Sequence, residues 1–132
     1  MNLLSLLIPK SSVASLDGDD TLRAAVAKMA HHRYSTIPVL GSEGHYLYSI
    51  STGDILFYLQ AHNPTLHEME EVPLSVVPIH RPFTALPVTA EEDVVVEALL
   101  SQTFVPMVDE RGIFVGIITR KSLTEYLLKK ED

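Results

Sequence analysis

Apolar residues recur along the chain with helical and strand periods, and the same order of elements occurs twice. Residues 21–33 and 92–102 carry apolar side chains at helical spacing. Each stretch leads into an apolar run, a polar turn that contains glycine and a second apolar run, which is the pattern of a β-hairpin. Another helical stretch follows, over residues 52–61 in the first half and 120–130 in the second. Each half is therefore predicted to be helix, strand, strand, helix.

The two halves also match residue by residue at a constant spacing. Residues 37–40 (Ile-Pro-Val-Leu) align with 105–108 (Val-Pro-Met-Val), and residues 49–51 align with 117–119. We therefore predict an α+β fold with pseudo-twofold symmetry, in which two small sheets flanked by helices pack together because neither half buries its apolar face alone. The predicted module consists of a first repeat with an N-terminal helix at residues 1–62, a Pro-rich linker at 63–86 and a second repeat at 87–132.

The composition suits one compact domain, with 46% hydrophobic residues in a chain of 132. The absence of cysteine excludes thiolate zinc sites, iron–sulfur clusters and cysteine nucleophiles. The apolar start at residues 3–8 is too short to span a bilayer and lacks the basic region and cleavage site of a signal peptide. We expect this segment to form the first turns of an amphipathic helix in a cytoplasmic protein.

Ten Lys and Arg residues against seventeen Asp and Glu residues give a formal charge of −7. This acidic balance argues against binding to nucleic acid or to an anionic membrane, because both require a positive field. An anionic small ligand would need a local cationic position. The candidates are Arg23, Arg33, Arg120 with Lys121, and the terminal pair Lys129 and Lys130.

The two junctions between second strand and last helix carry the candidate chemistry. Ser51 and Thr119 are placed as N-cap hydroxyls, with Asp54 and Ser122 three residues later, which is the pattern of a helix cap. A helix start also exposes unpaired N–H groups to an anion. In the second half Arg120 and the following lysine add positive charge where the helix dipole disfavours it. This pattern leaves two interpretations open, a phosphate site and a solvated turn.

Residues 104–109 (Phe-Val-Pro-Met-Val-Asp) and 116–122 (Gly-Ile-Ile-Thr-Arg-Lys-Ser), with their counterparts in the first half, make the chain resemble the paired CBS domain, or Bateman module. In particular, the chain resembles the small cyclic di-AMP-binding CBS proteins of Gram-positive bacteria. The resemblance implies a ligand site built from both repeats, in which one segment holds a phosphate and two others contact the adenine or a neighbouring phosphate. Carried over, the implied ligand-binding residues are Val13, Ala14, Tyr34, Ser35, Ile37, Pro38, Thr119, Arg120, Lys121 and Ser122.

The chain departs from the family pattern at two positions. Most adenosine-binding CBS repeats have Asp where this chain has Ser122, so a free ribose diol loses an acceptor pair and cyclic di-AMP is favoured over AMP or ATP. In the first repeat, Tyr48 stands at the position of Gly116, and no Arg or Lys follows the capping serine. A second site is therefore expected to be degenerate, although Asp54 allows a ribose contact. Its candidate residues are Ser51, Asp54, Phe104 and Pro106.

Other polar clusters have simpler explanations. His31, His32 and Arg33 lie at the end of the first predicted helix, where cations suit the dipole. His62 and His67 lack the spacing that places two imidazoles on one helical face, so no metal site is predicted. No Gly-x-x-x-x-Gly-Lys loop, serine nucleophile elbow or Rossmann fingerprint occurs, and we predict no catalytic residues.

These observations predict a nonenzymatic nucleotide-sensing protein that binds cyclic di-AMP and needs no further cofactor. A regulatory CBS pair for AMP, ADP or ATP is the alternative, and an interaction domain with a vestigial cleft is a third class, because fold does not fix function. The resemblance implies a homodimer and a protein partner such as a metabolic or stringent-response enzyme. Leu56, Leu59, Leu123 and Leu127, on the last helix of each half, are expected to line the dimer interface.

Overall fold

A computed structural model describes residues 3–130 of the chain. The chain divides into two compact units, one of which runs from Ala14 to Pro82, while the other combines the residues up to Val13 with those from Phe83 onward. The elements follow in the order β1 (Ile8–Pro9), β2 (Leu16–Asp17), α1 (Leu22–His32), β3 (Thr36–Leu40), β4 (Tyr46–Ser51), α2 (Thr52–His62), α3 (Leu66–Met69), β5 (Leu86–Pro87), α4 (Glu92–Ser101), β6 (Phe104–Val108), β7 (Phe114–Thr119) and α5 (Arg120–Lys130).

Each unit contains the predicted order of helix, two strands and helix. In the first unit, β3 and β4 form an antiparallel hairpin, and in the second unit β6 and β7 do the same. A short strand that the sequence pattern does not predict pairs in parallel with the first strand of each hairpin, β2 with β3 and β5 with β6. The α+β class is confirmed, with two small mixed sheets and flanking helices.

The caps of the first unit's helices follow from their sequences. The Thr21 hydroxyl accepts a hydrogen bond from the Ala24 N–H at 3.1 Å and so caps α1 at its start. Arg33 ends this helix in the left-handed conformation, with φ 58°. A left-handed residue at this position is a common way of ending a helix. The predicted boundaries of α1 are therefore the two capping residues.

The N-terminal segment differs from the prediction. In place of an amphipathic α-helix it forms one 3-10 turn, Leu3–Leu6, followed by β1, which lies antiparallel to β7 at the edge of the second unit's sheet. Pro9 is paired with Gly116, where φ is +155° and where a Cβ atom would overlap the carbonyl oxygen of Ile8. Glycine at this position therefore lets the added strand approach. The equivalent residue of the first repeat, Tyr48, lies on β4, which is an edge strand of its sheet.

Residues 63–82, within the predicted Pro-rich linker, pack against the first repeat. The Leu22 N–H donates to the Val72 carbonyl at 2.8 Å, and the Leu74 N–H donates to the Asp20 carbonyl at 2.9 Å. Buried apolar side chains from this segment join those of α1, β3, β4 and α2 in one core. The core of the first unit consists of Leu16, Leu22, Ala25, Met29, Ile37, Val39, Ile50, Ile55, Met69, Leu74 and Val77.

Candidate functional site

The start of α5 has an open backbone donor and two cations. The Thr119 hydroxyl accepts from the Ser122 N–H at 3.0 Å and donates to the Ser122 hydroxyl at 2.9 Å. The Arg120 N–H donates to the Thr103 carbonyl at 2.9 Å. Of the first three helical N–H groups, only that of Lys121 has no hydrogen-bond partner within residues 3–130. An anion at this helix start would therefore meet a free N–H group, the positive end of the helix dipole and two cationic side chains.

The Arg120 side chain is anchored by the preceding helix. Its Nε donates to the Leu99 carbonyl of α4 at 2.8 Å, which fills one of the carbonyl positions left open at a helix end. The guanidinium group has five N–H donors, so four remain on the two Nη atoms. The side chain is exposed, and its remaining donors can bind an anion from solvent. The sequence did not indicate this anchor.

The start of α2 has a similar hydroxyl cap, but it carries a carboxylate where the start of α5 carries two cations. The Ser51 hydroxyl accepts from the Asp54 N–H at 3.0 Å, and the Asp54 carboxylate accepts from the Ser51 N–H at 2.9 Å, so the predicted capping box is confirmed. The second carboxylate oxygen accepts from the His80 N–H at 3.0 Å. Asp54 is 4% exposed, and each of its oxygens already has a backbone donor. A buried carboxylate at the helix start makes α2 a poorer anion site than α5.

Two predicted ligand-binding residues lie at a cavity of the first unit. Tyr34 and Ser35 line an open cavity of about 470 Å³ between α1 and α2, with Arg33 and Thr52 beside them. The Tyr34 ring is 39% exposed and stacks on His32, with ring centroids 5.5 Å apart. The remaining lining is apolar. Arg33, which the sequence offered both as a helix cap and as a candidate cationic position, brings a positive charge to this cavity.

Other predicted residues are less accessible. Ile37 is fully buried in the core of the first unit, and Pro38 is also buried. Phe104 and Pro106, proposed for a second site, are buried in the second unit, where the Phe104 ring meets Phe83 edge-on at 4.9 Å between centroids. Ligand contacts by these four side chains remain predictions.

Val13 and Ala14 fall at the point where the chain passes between the two units. Val13 follows a 3-10 turn, Lys10–Ser12, and its N–H donates to the Lys10 carbonyl at 3.1 Å. Ala14 packs against the core of the first unit. Neither its backbone N–H nor its carbonyl group has a hydrogen-bond partner in the part of the chain that the structure describes. Ala14 therefore offers a donor and an acceptor on one residue.

Two tyrosines on β4 have perturbed acidity. Burial raises the pKa of Tyr46, whose hydroxyl lies 2.7 Å from the Ser49 hydroxyl, and the hydrogen bond between them offsets part of that rise. Burial also raises the pKa of Tyr48, whose hydroxyl oxygen is buried and has no partner within the described residues. Both phenols therefore remain neutral at pH values where an exposed tyrosine begins to ionise.

Within residues 3–130, no three His, Asp or Glu side chains come together as metal ligands would. No helix in the same range is long and apolar enough to cross a membrane. The histidines at the end of α1 are exposed, and His31 meets His32 edge-on at 4.9 Å between ring centroids.

Comparison with known proteins agrees with the two repeats described above. The CBS domain model matches residues 7–61 and again residues 77–129. The chain belongs to the CBS domain family and carries the domain twice.

Individual relatives cover nearly all of the chain. A CBS domain-containing protein of Dictyostelium discoideum is 28% identical over 138 residues, which span 98% of this chain and 94% of that protein. The crystal structure of CbpB in complex with c-di-AMP is 25% identical, with a TM-score of 0.86 over 98% of this chain and 85% of that one. The structure of CbpB from Streptococcus agalactiae is 26% identical, with a TM-score of 0.81 over 96% of this chain and 82% of that one. The chain is thus a tandem CBS protein structurally close to CbpB.

Proposed function

We propose that this chain is a nonenzymatic nucleotide-sensing regulatory protein whose ligand is cyclic di-AMP. A CBS pair is a regulatory module, and a CbpB structure with this fold contains c-di-AMP. The observation that carries the proposal is the start of α5, where Arg120, Lys121 and an open N–H group meet without a neighbouring carboxylate from the helix cap.

The phosphate is assigned to α5 rather than α2 on electrostatic grounds. Both helix starts leave one N–H group open, that of Lys121 in α5 and that of Gly53 in α2, within residues 3–130. At α2 the nearby Asp54 carboxylate repels an anion, whereas at α5 the equivalent residue is the neutral Ser122. Charge-assisted hydrogen bonds to phosphate are about twice as strong as neutral ones. The cationic helix start is therefore the favoured position.

The adenine is assigned to the backbone of Ala14. Adenine presents a donor, the N6 amino group, beside an acceptor, the N1 ring nitrogen. The Ala14 carbonyl and N–H groups can accept from the first and donate to the second, and both are free within the described residues. Each hydrogen bond contributes about 0.5–1.5 kcal/mol, so a base that pairs with both groups gains affinity and specificity over one that cannot.

The presence of Ser122 favours a cyclic dinucleotide over AMP or ATP. A carboxylate at this position could accept from both hydroxyls of a free ribose, whereas the Ser122 hydroxyl already accepts from the Thr119 hydroxyl. A ribose in cyclic di-AMP has its 3′ oxygen esterified and needs only one such contact.

The proposal is tested by isothermal titration calorimetry of the purified chain against cyclic di-AMP, AMP, ATP and cyclic di-GMP. We expect cyclic di-AMP to bind at least tenfold more tightly than the others, a difference of about 1.4 kcal/mol. Preference for AMP or ATP would replace the proposal with an AMP-, ADP- or ATP-sensing CBS pair. If none of the four binds or shifts the melting temperature, the chain is an interaction domain.

A homodimer and a protein partner complete the proposal. Two of the four leucines expected at the dimer interface are exposed, Leu56 at 60% and Leu127 at 40%. Leu123 lies in the core of its own unit, and Leu59 packs against the core of its own unit. Light scattering of the double variant Leu56→Glu and Leu127→Glu tests the assignment. The wild type should be a dimer and the variant a monomer, whereas a dimeric variant would refute this interface.

A further inference from the structure

Gln102, between α4 and β6, uses its whole carboxamide group inside the second unit. It is 5% exposed. Its Oε1 accepts from the Thr84 N–H at 2.9 Å, while its Nε2 donates to the Thr84 carbonyl at 3.0 Å and to the Phe104 carbonyl at 2.8 Å. One planar amide thus pairs with both backbone groups of a single residue, Thr84.

The corresponding place in the first repeat lacks the amide. The constant spacing of the repeats places Tyr34 at the position of Gln102. The residue equivalent to Thr84 is Ala14, because each lies two residues before the short strand that pairs in parallel with its hairpin. The Ala14 N–H and carbonyl are both free within residues 3–130. The Tyr34 side chain instead contacts the His32 ring.

The second repeat therefore shows which chemical group fits the free backbone of the first. A carboxamide and an adenine edge both present an N–H donor beside an acceptor in one plane. We propose that Gln102 is an internal substitute for adenine. In the second repeat its amide occupies the position that corresponds to the adenine position at Ala14 in the first repeat. This inference rests on the proposed function and adds that the chain has one adenine position in place of the two that its symmetry would provide.

The hydrogen bonds of Asp54, in the first unit, also favour a single adenine position. Asp54, the carboxylate predicted to contact a second ribose, has one oxygen bonded to the Ser51 N–H and the other to the His80 N–H. Asp54 thus already uses both carboxylate oxygens that a second ribose would need, just as Gln102 already occupies the Thr84 backbone groups that a second adenine would need.

The first test introduces a glutamine at Tyr34, the position of the first repeat that corresponds to Gln102. Tyr34→Gln and Tyr34→Met both remove the phenol, but only Gln carries the amide that, by correspondence with Gln102 and Thr84, would pair with Ala14. We expect Tyr34→Gln to bind cyclic di-AMP at least about tenfold more weakly than Tyr34→Met, since its amide competes with the base. Without ligand, Tyr34→Gln should melt a few degrees higher, because it satisfies two backbone groups. Equal affinities together with equal melting temperatures would overturn the proposal.

The second test removes the Gln102 amide and so frees the Thr84 backbone groups in the second repeat. Gln102→Ala should melt at least about 5 °C below the wild type. Equilibrium dialysis with excess adenosine should then find two molecules per chain, against one for the wild type and for Ser101→Ala, a neighbouring exposed control. One molecule per folded Gln102→Ala chain would overturn the proposal.

The two tests separate this inference from the proposed function. If the wild type binds no cyclic di-AMP, the proposed function fails, while the melting temperatures of the Tyr34 variants and the adenosine count still decide the role of Gln102. If the wild type binds cyclic di-AMP and both Tyr34 variants behave alike, only the inference fails.

Discussion

The substitution Arg120→Met tests the phosphate assignment most directly, since it retains much of the side-chain length and removes the charge. Four guanidinium N–H groups remain for a phosphate after Nε has bonded the Leu99 carbonyl. A hydrogen bond to a charged group contributes about 1.5–3 kcal/mol, so the Kd for cyclic di-AMP should rise about ten- to a hundredfold.

The same substitution has two opposing effects on stability. Loss of the bond between Nε and Leu99 costs about 0.5–1.5 kcal/mol. Removal of a cation from the start of α5 returns about 0.3–1 kcal/mol, because the helix dipole disfavours positive charge there. The free energy of unfolding should therefore change by less than about 1 kcal/mol, which urea unfolding can measure.

Arg111→Met is the matched control. Arg111 is exposed in the hairpin turn of the same unit, with its Nη2 3.8 Å from an Asp109 carboxylate oxygen. The variant changes the net charge equally but leaves α5 intact, so its Kd should change less than about twofold. An unchanged Kd in Arg120→Met would refute the phosphate assignment. An equal loss in both variants would assign the effect to net charge.

Three further predictions test other parts of the structure. In urea unfolding, Gly116→Val should lower the free energy of unfolding by about 2 kcal/mol or more, because the valine side chain overlaps β1. The control Gly53→Ala should be neutral or slightly stabilising, because its new Cβ atom meets only a hydroxyl oxygen at 3.6 Å. Ser122→Asp should weaken cyclic di-AMP binding about fivefold by repulsion of the phosphate and strengthen AMP binding, and calorimetric changes of the same sign for both ligands would contradict this assignment. Tyr48→Phe should unfold no more easily than the wild type at pH 8, because the lost hydroxyl has no partner within the described residues. Because folding raises the pKa of Tyr48, the wild type loses stability as the pH rises above about 10, and a Phe variant that lost as much between pH 8 and pH 10.5 would contradict this explanation.

The sequence predicted the parts of the fold that are repeated and periodic. The hairpins and four main helices each carry enough residues for their period to show, and the caps at Ser51 and Thr119 follow from hydroxyl chemistry at one position. The strands β2 and β5 are two residues long, too short for an alternating pattern. The apolar N terminus suits a helix or a strand equally well, and its distant neighbour Gly116 selects the strand.

The sequence predicted which residue types form the candidate site, but it did not predict the hydrogen bonds between them. A Thr-Arg-Lys segment at a helix start predicts an anion position, and the structure gives Lys121 the open N–H group. The anchor of Arg120 depends on the Leu99 carbonyl, a backbone atom that no sequence pattern marks. In the sequence, nothing distinguishes Gln102 from other polar residues at helix ends. Its pairing with Thr84 depends on the approach of a backbone segment that is distant in sequence.

The strand added at Gly116 has a consequence for the order in which the chain folds. Residues 14–82 form a unit that is continuous in sequence, so all of its strands and helices are available once residue 82 has been synthesised. The other unit needs two segments that are far apart in sequence, because Ile8 pairs with Ile117. Closing so large a loop is entropically costly and slow, and the N-terminal segment must therefore wait, unpaired, until the last strand is made. Folding of this unit thus depends on the synthesis of β7 and comes after residues 14–82 are in place.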